Sequence, residues 1–271
     1  MATVETVIIG GSPSLAADVA GEGELLLFLH GIGGNRSNWR RQLDAFSQSY
    51  RCVALDGRGY GLSADYEGPV TFDIFASDVL RVLDHFGAEK AHICGLSLGG
   101  RIAQRFYAHH PDRVASLTLA DSRPDTADSR SPEDRDAFFN SRAKPLIEGG
   151  QPSDIAAGVS RSLASPNASE EVLAELRASI SALRVEPYLK AIRANLDDDY
   201  AGDISKIAVP TLVVAGEFDT LTPPAMAQAI SAGIPGSQLS IIPGAGHLSN
   251  IENAEAFNRV LGAFLARVSR G

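Results

Sequence analysis

Three residue types in this chain could together carry out nucleophilic catalysis: a serine, an aspartate and a histidine. Ser97 is flanked by glycines at positions 95 and 99, Asp219 follows a Gly-Glu-Phe string, and His247 lies in a Gly-His-Leu string. A serine hydroxyl is a weak nucleophile near neutral pH, so it needs a base, and that base needs an orienting carboxylate. We therefore expect Ser97, Asp219 and His247 to be catalytic.

The glycines around Ser97 indicate a sharp turn. The Gly-x-Ser-x-Gly string lies between a predicted strand that ends at Cys94 and a predicted helix that begins at Leu98. Such a turn holds the serine in strained dihedrals, and a Cβ at either glycine would collide with the neighbouring strand or helix. The bare string also occurs in ordinary strand-to-helix turns. The aspartate and the histidine, each at the end of a predicted strand, favour the catalytic interpretation.

Attack on an ester also requires donors for the oxyanion that forms. We expect one to be the backbone N–H of Leu98, directly after Ser97, and the other to be that of Ile32. Ile32 lies in a His-Gly-Ile-Gly-Gly string that also suits a tight strand-to-helix connection, and both interpretations can hold. His30, which begins the string, is expected to brace this loop.

Two other carboxylates compete with Asp219 for the role of the orienting acid. Glu217 lies in the same turn, and Asp121 ends another predicted strand. The remaining histidines have no metal-ligand spacing and are expected to be structural or exposed: His30, His85, His92, His109 and His110. We therefore expect neither a metal nor a cofactor.

Apolar runs alternate with amphipathic segments in a way that predicts a mostly parallel sheet with helices on both faces. Thr3 to Ile9 and Leu15 to Val19 are predicted to form an antiparallel edge hairpin. Further strands are predicted over 25–29, 51–55, 91–94, 114–120, 211–215 and 239–242, and helices over 35–48, 72–86, 98–109 and 251–268.

The alternation stops at residue 121. The segment 122–205 is rich in Ala, Arg and acidic residues, contains several prolines and lacks β-branched runs. It predicts about four helices inserted as a cap. The predicted domains are a core of residues 1–121 and 206–271 and a helical cap of residues 122–205.

The overall charge excludes some partners. Lys and Arg number 24 against 33 Asp and Glu, for a net charge of −9, without any basic run that would suit nucleic acid. No apolar stretch is long enough to cross a membrane, and no positively charged leader precedes one. Cys52 and Cys94 are expected to be reduced, buried thiols in a cytoplasmic protein.

The chain resembles the α/β-hydrolase superfamily over its whole length. Residues 56–63, Asp-Gly-Arg-Gly-Tyr-Gly-Leu-Ser, look like that family's Asp-x-Arg-Gly-x-Gly-x-Ser turn, and the order Ser, Asp, His is that of the family. Residues 246–252, Gly-His-Leu-Ser-Asn-Ile-Glu, resemble 3-oxoadipate enol-lactonases and related lactonases and esterases. The resemblance implies that Ser97 is the nucleophile, His247 the general base and Asp219 the orienting acid.

Neighbouring families differ at these positions. Haloalkane dehalogenases and epoxide hydrolases of this fold use Asp where this chain has Ser97, and hydrolases of carbon–carbon bonds typically show Trp where it has Leu248. Cofactor-free perhydrolases share the three residues, and some hormone receptors keep the fold as binding proteins. A carbon–carbon bond hydrolase, a perhydrolase and a non-hydrolysing binding protein are the alternatives to an ester or lactone hydrolase.

The expected partner is a small-molecule ester or lactone, with an enol-lactone carrying a carboxylate as one candidate. Substrate choice is expected to depend on the cap, because the catalytic residues suit many substrates. Arg142, Arg161 and Arg184 could each meet a substrate carboxylate or remain solvated surface charges.

Overall fold

A computed structural model describes residues 2–126 and 130–268, and the rest of the predicted core and cap domains lies outside the described residues. Its centre is one eight-stranded sheet. The strands are Glu5–Ile9 (β1), Leu15–Ala20 (β2), Leu25–Leu29 (β3), Arg51–Asp56 (β4), Ala91–Leu96 (β5), Val114–Ala120 (β6), Thr211–Gly216 (β7) and Gln238–Ile242 (β8).

The strands lie in the order β1-β2-β4-β3-β5-β6-β7-β8. From β4 to β8 all neighbours are parallel, whereas β2 pairs antiparallel with both β1 and β4. The predicted mostly parallel sheet and its edge hairpin are confirmed. β3 is apolar along its whole length because it is buried on both faces.

Helices cover both faces of the sheet. They are Arg40–Phe46 (α1), Phe72–His85 (α2), Leu98–His109 (α3), Pro132–Ile147 (α4), Pro152–Leu163 (α5), Glu170–Ser181 (α6), Val185–Asp197 (α7), Pro224–Gly233 (α8), Ser249–Glu252 (α9) and Ala254–Val268 (α10). Leu27 and Leu29 of β3 pack in the core beneath α2, α3 and α8, whereas Leu26 and Phe28 pack beneath α1 and α10. Because successive side chains of a strand point to opposite faces of the sheet, β3 contributes to two separate cores.

The four helices α4–α7 lie between β6 and β7, and we call them the cap. They enclose a hydrophobic core of their own, and Ile32 of the core domain packs against it. The buried residues of that core include Phe139, Leu146, Ile180, Tyr188 and Leu196. The predicted helical insertion is confirmed.

Two buried arginines on α3 hold both ends of the cap, and we call Arg101, Arg105, Asp125 and Asp198 the cap latch. Asp125 precedes α4, and Asp198 follows α7. Arg101 lies 3.0 Å from the Asp125 carboxylate and 2.6 Å from that of Asp198, and Arg105 lies 2.8 Å from each. The Arg101 and Arg105 side chains are only 1% and 2% exposed. Next to the latch, an isolated bridge pairs Thr126 with Ala201. Both ends of the cap are therefore fixed to the helix that begins after Ser97.

The sequence-based elements were wrong in four places. The helix predicted over 35–48 is a 3₁₀ helix over Arg36–Trp39 followed by the short helix α1. β5 extends to Leu96 rather than ending at Cys94, because Leu96 still pairs with Ala120 of β6. The last predicted helix is two helices, because the Asn253 carboxamide accepts the Ala256 N–H at the start of α10 and donates to the Pro243 carbonyl. Helix α8 was not predicted, although Pro224 at its first position is a typical helix-start signal.

Candidate active site

Ser97 lies in a strained turn between β5 and α3. Its backbone has φ 55° and ψ −114°, a left-handed conformation that a residue with a side chain rarely adopts. A Cβ at Gly95 would overlap the Gly99 carbonyl, and one at Gly99 would overlap the Leu29 carbonyl. The two flanking glycines are thus sterically required, as the sequence indicated.

His247 and Asp219 form a buried pair. The His247 Nδ1–H donates to Asp219 Oδ2 over 2.8 Å, and the two side chains are 5% and 0% exposed. Asp219 Oδ1 accepts the N–H groups of Leu221 and Thr222 at 2.8 and 2.9 Å, and the Thr222 hydroxyl donates to Oδ2 at 2.6 Å. These bonds fix the carboxylate and leave His247 Nε2 for another partner. Thr222, three residues after Asp219, was not singled out from the sequence.

The pair shifts the pKa values of both members. Burial raises the pKa of Asp219, but the hydrogen bond and charge of His247, with the Thr222 bonds, outweigh it and leave that pKa lowered. Burial lowers the pKa of His247, but the hydrogen bond and charge of Asp219, with the charges of Asp121 and Glu252, leave it raised above its ordinary value. Asp219 is consequently a carboxylate that stabilises imidazolium.

The two competing acids have other partners. Glu217 is exposed, and its carboxylate accepts the Gly244 N–H at 2.8 Å. Asp121 is buried, and its carboxylate accepts the N–H of Gly216 and the N–H and hydroxyl of Ser249. Of the three candidates, Asp219 is therefore the one that the structure brings to the His247 ring.

The loop that carries Ile32 lies against Ser97. A Cβ at Gly31 would come within 3.1 Å of the Ser97 Cβ. His30 braces the loop as expected, because its Nδ1–H donates to the Gly31 carbonyl at 2.8 Å and its Nε2 accepts the Gly57 N–H at 3.0 Å. This arrangement requires a neutral ring, and burial lowers the pKa of His30 accordingly.

Ser97 and His247 face a cavity of about 400 Å³ between the core and the cap. Both proposed oxyanion donors, Ile32 and Leu98, line it, together with Phe138 and Tyr188 of the cap. A cavity of this size suits a small organic molecule. A second cavity of about 30 Å³ touches Ser97 and His247 on the side of Trp39 and Leu248.

Four arginines line the larger cavity: Arg101, Arg123, Arg130 and Arg142. No Asp or Glu of residues 2–126 and 130–268 lines it. Of the three arginines named from the sequence, only Arg142 is among them. Arg161 donates to the Ser165 carbonyl elsewhere on the cap, and Arg184 donates to the carbonyls of Gly59 and Ser63. Arg101, Arg123 and Arg130 were missed, because nothing local in the sequence shows that their strands and helices converge.

Among the described residues, no group of His, Cys, Asp and Glu side chains could hold a metal ion. Cys52 and Cys94 are free and buried. Among the helices of the described part of the chain, none could span a membrane.

Known proteins resemble this chain over most of its length. The family model for the alpha/beta hydrolase fold matches residues 24–254. The 3-oxoadipate enol-lactonase 2 of Acinetobacter baylyi is 29% identical over 245 residues, which are 89% of this chain and 88% of that protein.

Two solved structures superpose closely. A hydrolase from Pseudomonas aeruginosa PA01 has a TM-score of 0.85 at 31% identity, covering 97% of this chain and 98% of that one. A thermophilic esterase from Thermogutta terrifontis, solved with malate bound, has a TM-score of 0.87 at 29% identity, covering 98% and 99%. This chain therefore belongs to the alpha/beta hydrolase family, and its relatives include hydrolases of lactones and esters.

Proposed function

We propose that the protein is a serine hydrolase that cleaves a carboxylic ester or lactone through an acyl-enzyme. The observation that carries this proposal is the buried His247–Asp219 pair, whose histidine shares a cavity with the strained Ser97. The same three residues in this arrangement activate a serine hydroxyl in unrelated hydrolases.

Acylation begins when Ser97 Oγ attacks the substrate carbonyl and its proton passes to His247 Nε2. Asp219 stabilises the imidazolium that results. The backbone N–H groups of Ile32 and Leu98 hold the oxyanion. No other described residue accepts a hydrogen bond from the Ile32 N–H, so this donor is available to a ligand. When the tetrahedral intermediate collapses, His247 returns the proton to the leaving alkoxide.

Deacylation repeats these steps with water. Water attacks the acyl carbonyl, His247 takes its proton, and Ser97 leaves as the protonated alcohol. With a lactone, the alcohol formed on ring opening stays attached to the acyl group, so nothing has to leave the covered cavity before hydrolysis.

The size and the lining of the cavity support the proposal that the substrate is small and carries a carboxylate. Arg142 is the arginine that carries this part of the proposal. Among the described residues its guanidinium contacts the Ser162 hydroxyl at 3.2 Å and the Phe138 ring, but no carboxylate. A guanidinium is a bidentate donor well matched to a carboxylate.

Two relatives support this substrate class. The Acinetobacter protein is named as an enol-lactonase, and the Thermogutta esterase was solved with malate, a dicarboxylate. A small lactone or ester with a carboxylate is thus the substrate class that we propose.

The direct test of the catalytic serine is labelling with a fluorophosphonate, which reacts with activated serines. We expect stoichiometric loss of free enzyme with the label on Ser97, and loss of labelling and of aryl-ester hydrolysis in Ser97→Ala. Removing a nucleophile of this kind typically lowers kcat by about 10⁶-fold.

The matched control is Ser77→Ala, which removes an exposed hydroxyl on α2. It should label and hydrolyse at the wild-type rate. If Ser97→Ala keeps more than about a tenth of the wild-type rate, the acyl-enzyme mechanism is wrong. A wild-type protein that binds carboxylate ligands but does not label would instead be a binding protein on this fold.

A further inference from the structure

Asp121 is a buried carboxyl that the catalytic steps above do not use. It directly follows β6, is 0% exposed, and has φ 45°. Ser97 and Asp121 are the non-glycine residues with positive φ in the described chain. A strained backbone at a buried acid persists only where the surrounding contacts fix it.

The Asp121 carboxylate joins the two loops that carry His247 and Asp219. Oδ1 accepts the N–H of Gly216 at 2.8 Å, and Gly216 begins the turn to Asp219, whose N–H donates to the Gly216 carbonyl at 3.2 Å. Oδ2 accepts the N–H of Ser249 at 3.1 Å and its hydroxyl at 2.6 Å. Ser249 lies two residues after His247.

The residues on either side of Asp121 contact the third catalytic loop. The Ala120 carbonyl accepts the Ser97 N–H at 2.9 Å, and the Ser122 hydroxyl donates to the Ser97 carbonyl at 2.7 Å. The end of β6 is therefore bonded to the loops of all three candidate catalytic residues.

We infer that Asp121 is a positioning residue, which holds the acid and histidine loops in register and whose negative charge strengthens His247 as a base. This inference rests on the proposed function. Asp121 acts through Gly216 and Ser249, and we assign it no contact with the substrate.

The titratable groups around Asp121 support the inference that its negative charge strengthens His247 as a base. Asp219 and His247 face it from the loops after β7 and β8, Cys94 faces it from β5, and Glu252 of α9 acts on the same histidine. Burial, with the charge of Asp219, raises the pKa of Asp121 to about 7, although His247, Ser249 and Gly216 oppose the rise. Its charge therefore changes near the pH at which the histidine must be neutral.

The partners of Asp121 favour the ionised form. The N–H groups of Gly216 and Ser249 can only donate, so of the three partner groups only the Ser249 hydroxyl could accept a proton from a neutral Asp121. An ionised Asp121 satisfies all of them, and its charge favours imidazolium over imidazole. Removing that charge should lower the pKa of His247.

The experiment compares Asp121→Asn with Glu217→Gln. Both remove one carboxylate that accepts an N–H near the histidine loop, but Glu217 is exposed and Asp121 is buried. The measurement is the second-order rate constant of fluorophosphonate labelling at Ser97 between pH 5 and 9, values chosen to bracket the ordinary pKa of about 6.5 for histidine.

For Asp121→Asn we expect the acid limb to move to lower pH and the plateau to fall about 10- to 100-fold. The fall follows because an Asn amide presents its NH₂ group to one of the two N–H donors, and small displacements of catalytic groups cost rates of this order. Glu217→Gln should keep the wild-type limb and plateau. A merely structural role for Asp121 would lower the plateau without moving the limb.

Ser249→Ala keeps the carboxylate and provides a second variant in case Asp121→Asn fails to fold. We expect the limb to move in the same direction by a smaller amount, because the loss of the hydroxyl donor disfavours the ionised Asp121. If the limb stays at the wild-type pH in every folded variant of Asp121 or Ser249, the inference is wrong. A wild-type protein that shows no labelling at any pH would refute the proposed function itself.

Discussion

Thr222 reaches both members of the acid–base pair, and this contact shows how strictly the Asp219 carboxylate is oriented. The Thr222 hydroxyl lies 2.6 Å from Asp219 Oδ2 and 3.2 Å from His247 Nδ1. An Asn at position 219 could turn its NH₂ toward the histidine and select the wrong tautomer. Position 219 therefore requires a carboxylate, which only accepts hydrogen bonds, and not a carboxamide, which can also donate them.

We predict that Asp219→Asn preserves the fold but lowers kcat for an aryl ester by about 10⁴-fold, by analogy with the serine protease triad. Circular dichroism and the melting temperature would check the fold, and Glu217→Gln would be the control for loss of a carboxylate from the same turn. A larger loss in Asp121→Asn than in Asp219→Asn would show that Asp121 is the orienting acid.

The pH profile should show that His247 acts as a base. Only neutral imidazole accepts the serine proton, so kcat/KM should rise with pH through one ionisation. Because Asp219 leaves the pKa of His247 raised, the midpoint should lie above the ordinary value of about 6.5 that the sequence alone suggests. A profile for a slow ester that is flat from about pH 5 to 9 would contradict base catalysis by a histidine of ordinary or raised pKa.

Chain order and glycine spacing were sufficient to name Ser97, Asp219 and His247 as candidates, because each follows a strand that could be recognised from its apolar run. The contacts of Asp121 could not be predicted in this way. Gly216 and Ser249 lie 95 and 128 residues further along the chain, and only the folded sheet brings them to the end of β6.

At the scale of elements, the cap latch joins α3 to both ends of the cap. Its arginines also contact aromatic rings: Arg101 lies 4.0 Å from the centre of the Phe72 ring, and Arg105 lies 3.7 Å from that of Tyr200. Removing one partner from a buried ion pair leaves an uncompensated charge, which is costly.

We predict that Asp198→Asn lowers the free energy of unfolding by about 3–5 kcal/mol, the usual cost of breaking a buried pair. The matched control is Asp73→Asn, which removes another partner of Arg105. The Asp73 side chain is 63% exposed, so its loss should cost at most about 1 kcal/mol. Urea denaturation of both variants would measure the difference, and equal losses would mean that the latch does not hold the cap.

The elements themselves differ in how well local sequence predicts them. Strands β3 to β7 are mostly apolar runs of five to seven residues, so their positions follow from local composition. Helix α8 is short and begins at the second of two consecutive prolines, and the break at Asn253 depends on a bond to Pro243, which lies 10 residues earlier. The buried ion pairs of the cap latch cannot be predicted from local sequence, because arginines at positions 101 and 105 are more typical of an exposed helix face.

At the scale of the whole molecule, the acidic composition of the chain contrasts with the residues that line the cavity. The chain carries a net charge of −9, yet the side chains that line the cavity include four arginines and, within the described residues, no acid. Because Arg101 is paired with Asp125 and Asp198, the proposal of an anionic substrate rests on Arg142, which contacts no carboxylate among the described residues. Large apolar side chains also line the cavity, among them Phe138, Leu163, Tyr188, Ile192 and Met226, so its volume of about 400 Å³ and not its lining limits the length of an acyl chain.

We predict that the protein prefers a small lactone or short ester with a carboxylate to an ester of eight or more carbons. Arg142→Gln should raise KM for the carboxylate substrate about 10- to 100-fold, the loss expected for a charge-assisted hydrogen bond, without affecting an uncharged short ester. Arg161→Gln, on the same cap but outside the cavity, is the control.

The substrate series would be scored by kcat/KM. A preference of tenfold or more for the long ester, equivalent to about 1.4 kcal/mol of transition-state stabilisation, would identify a general carboxylesterase instead.

The bridge between Thr126 and Ala201 means that the inserted helices leave and rejoin the core at almost the same point. Paired strand residues lie only about 5 Å apart, so the segment between them can be exchanged without a new linker. A chimera that joins the insert of a relative at these two positions would keep the sheet and Ser97, Asp219 and His247 unchanged. In this family, new substrate ranges could then arise by recombination of whole inserts, while the catalytic residues evolve separately.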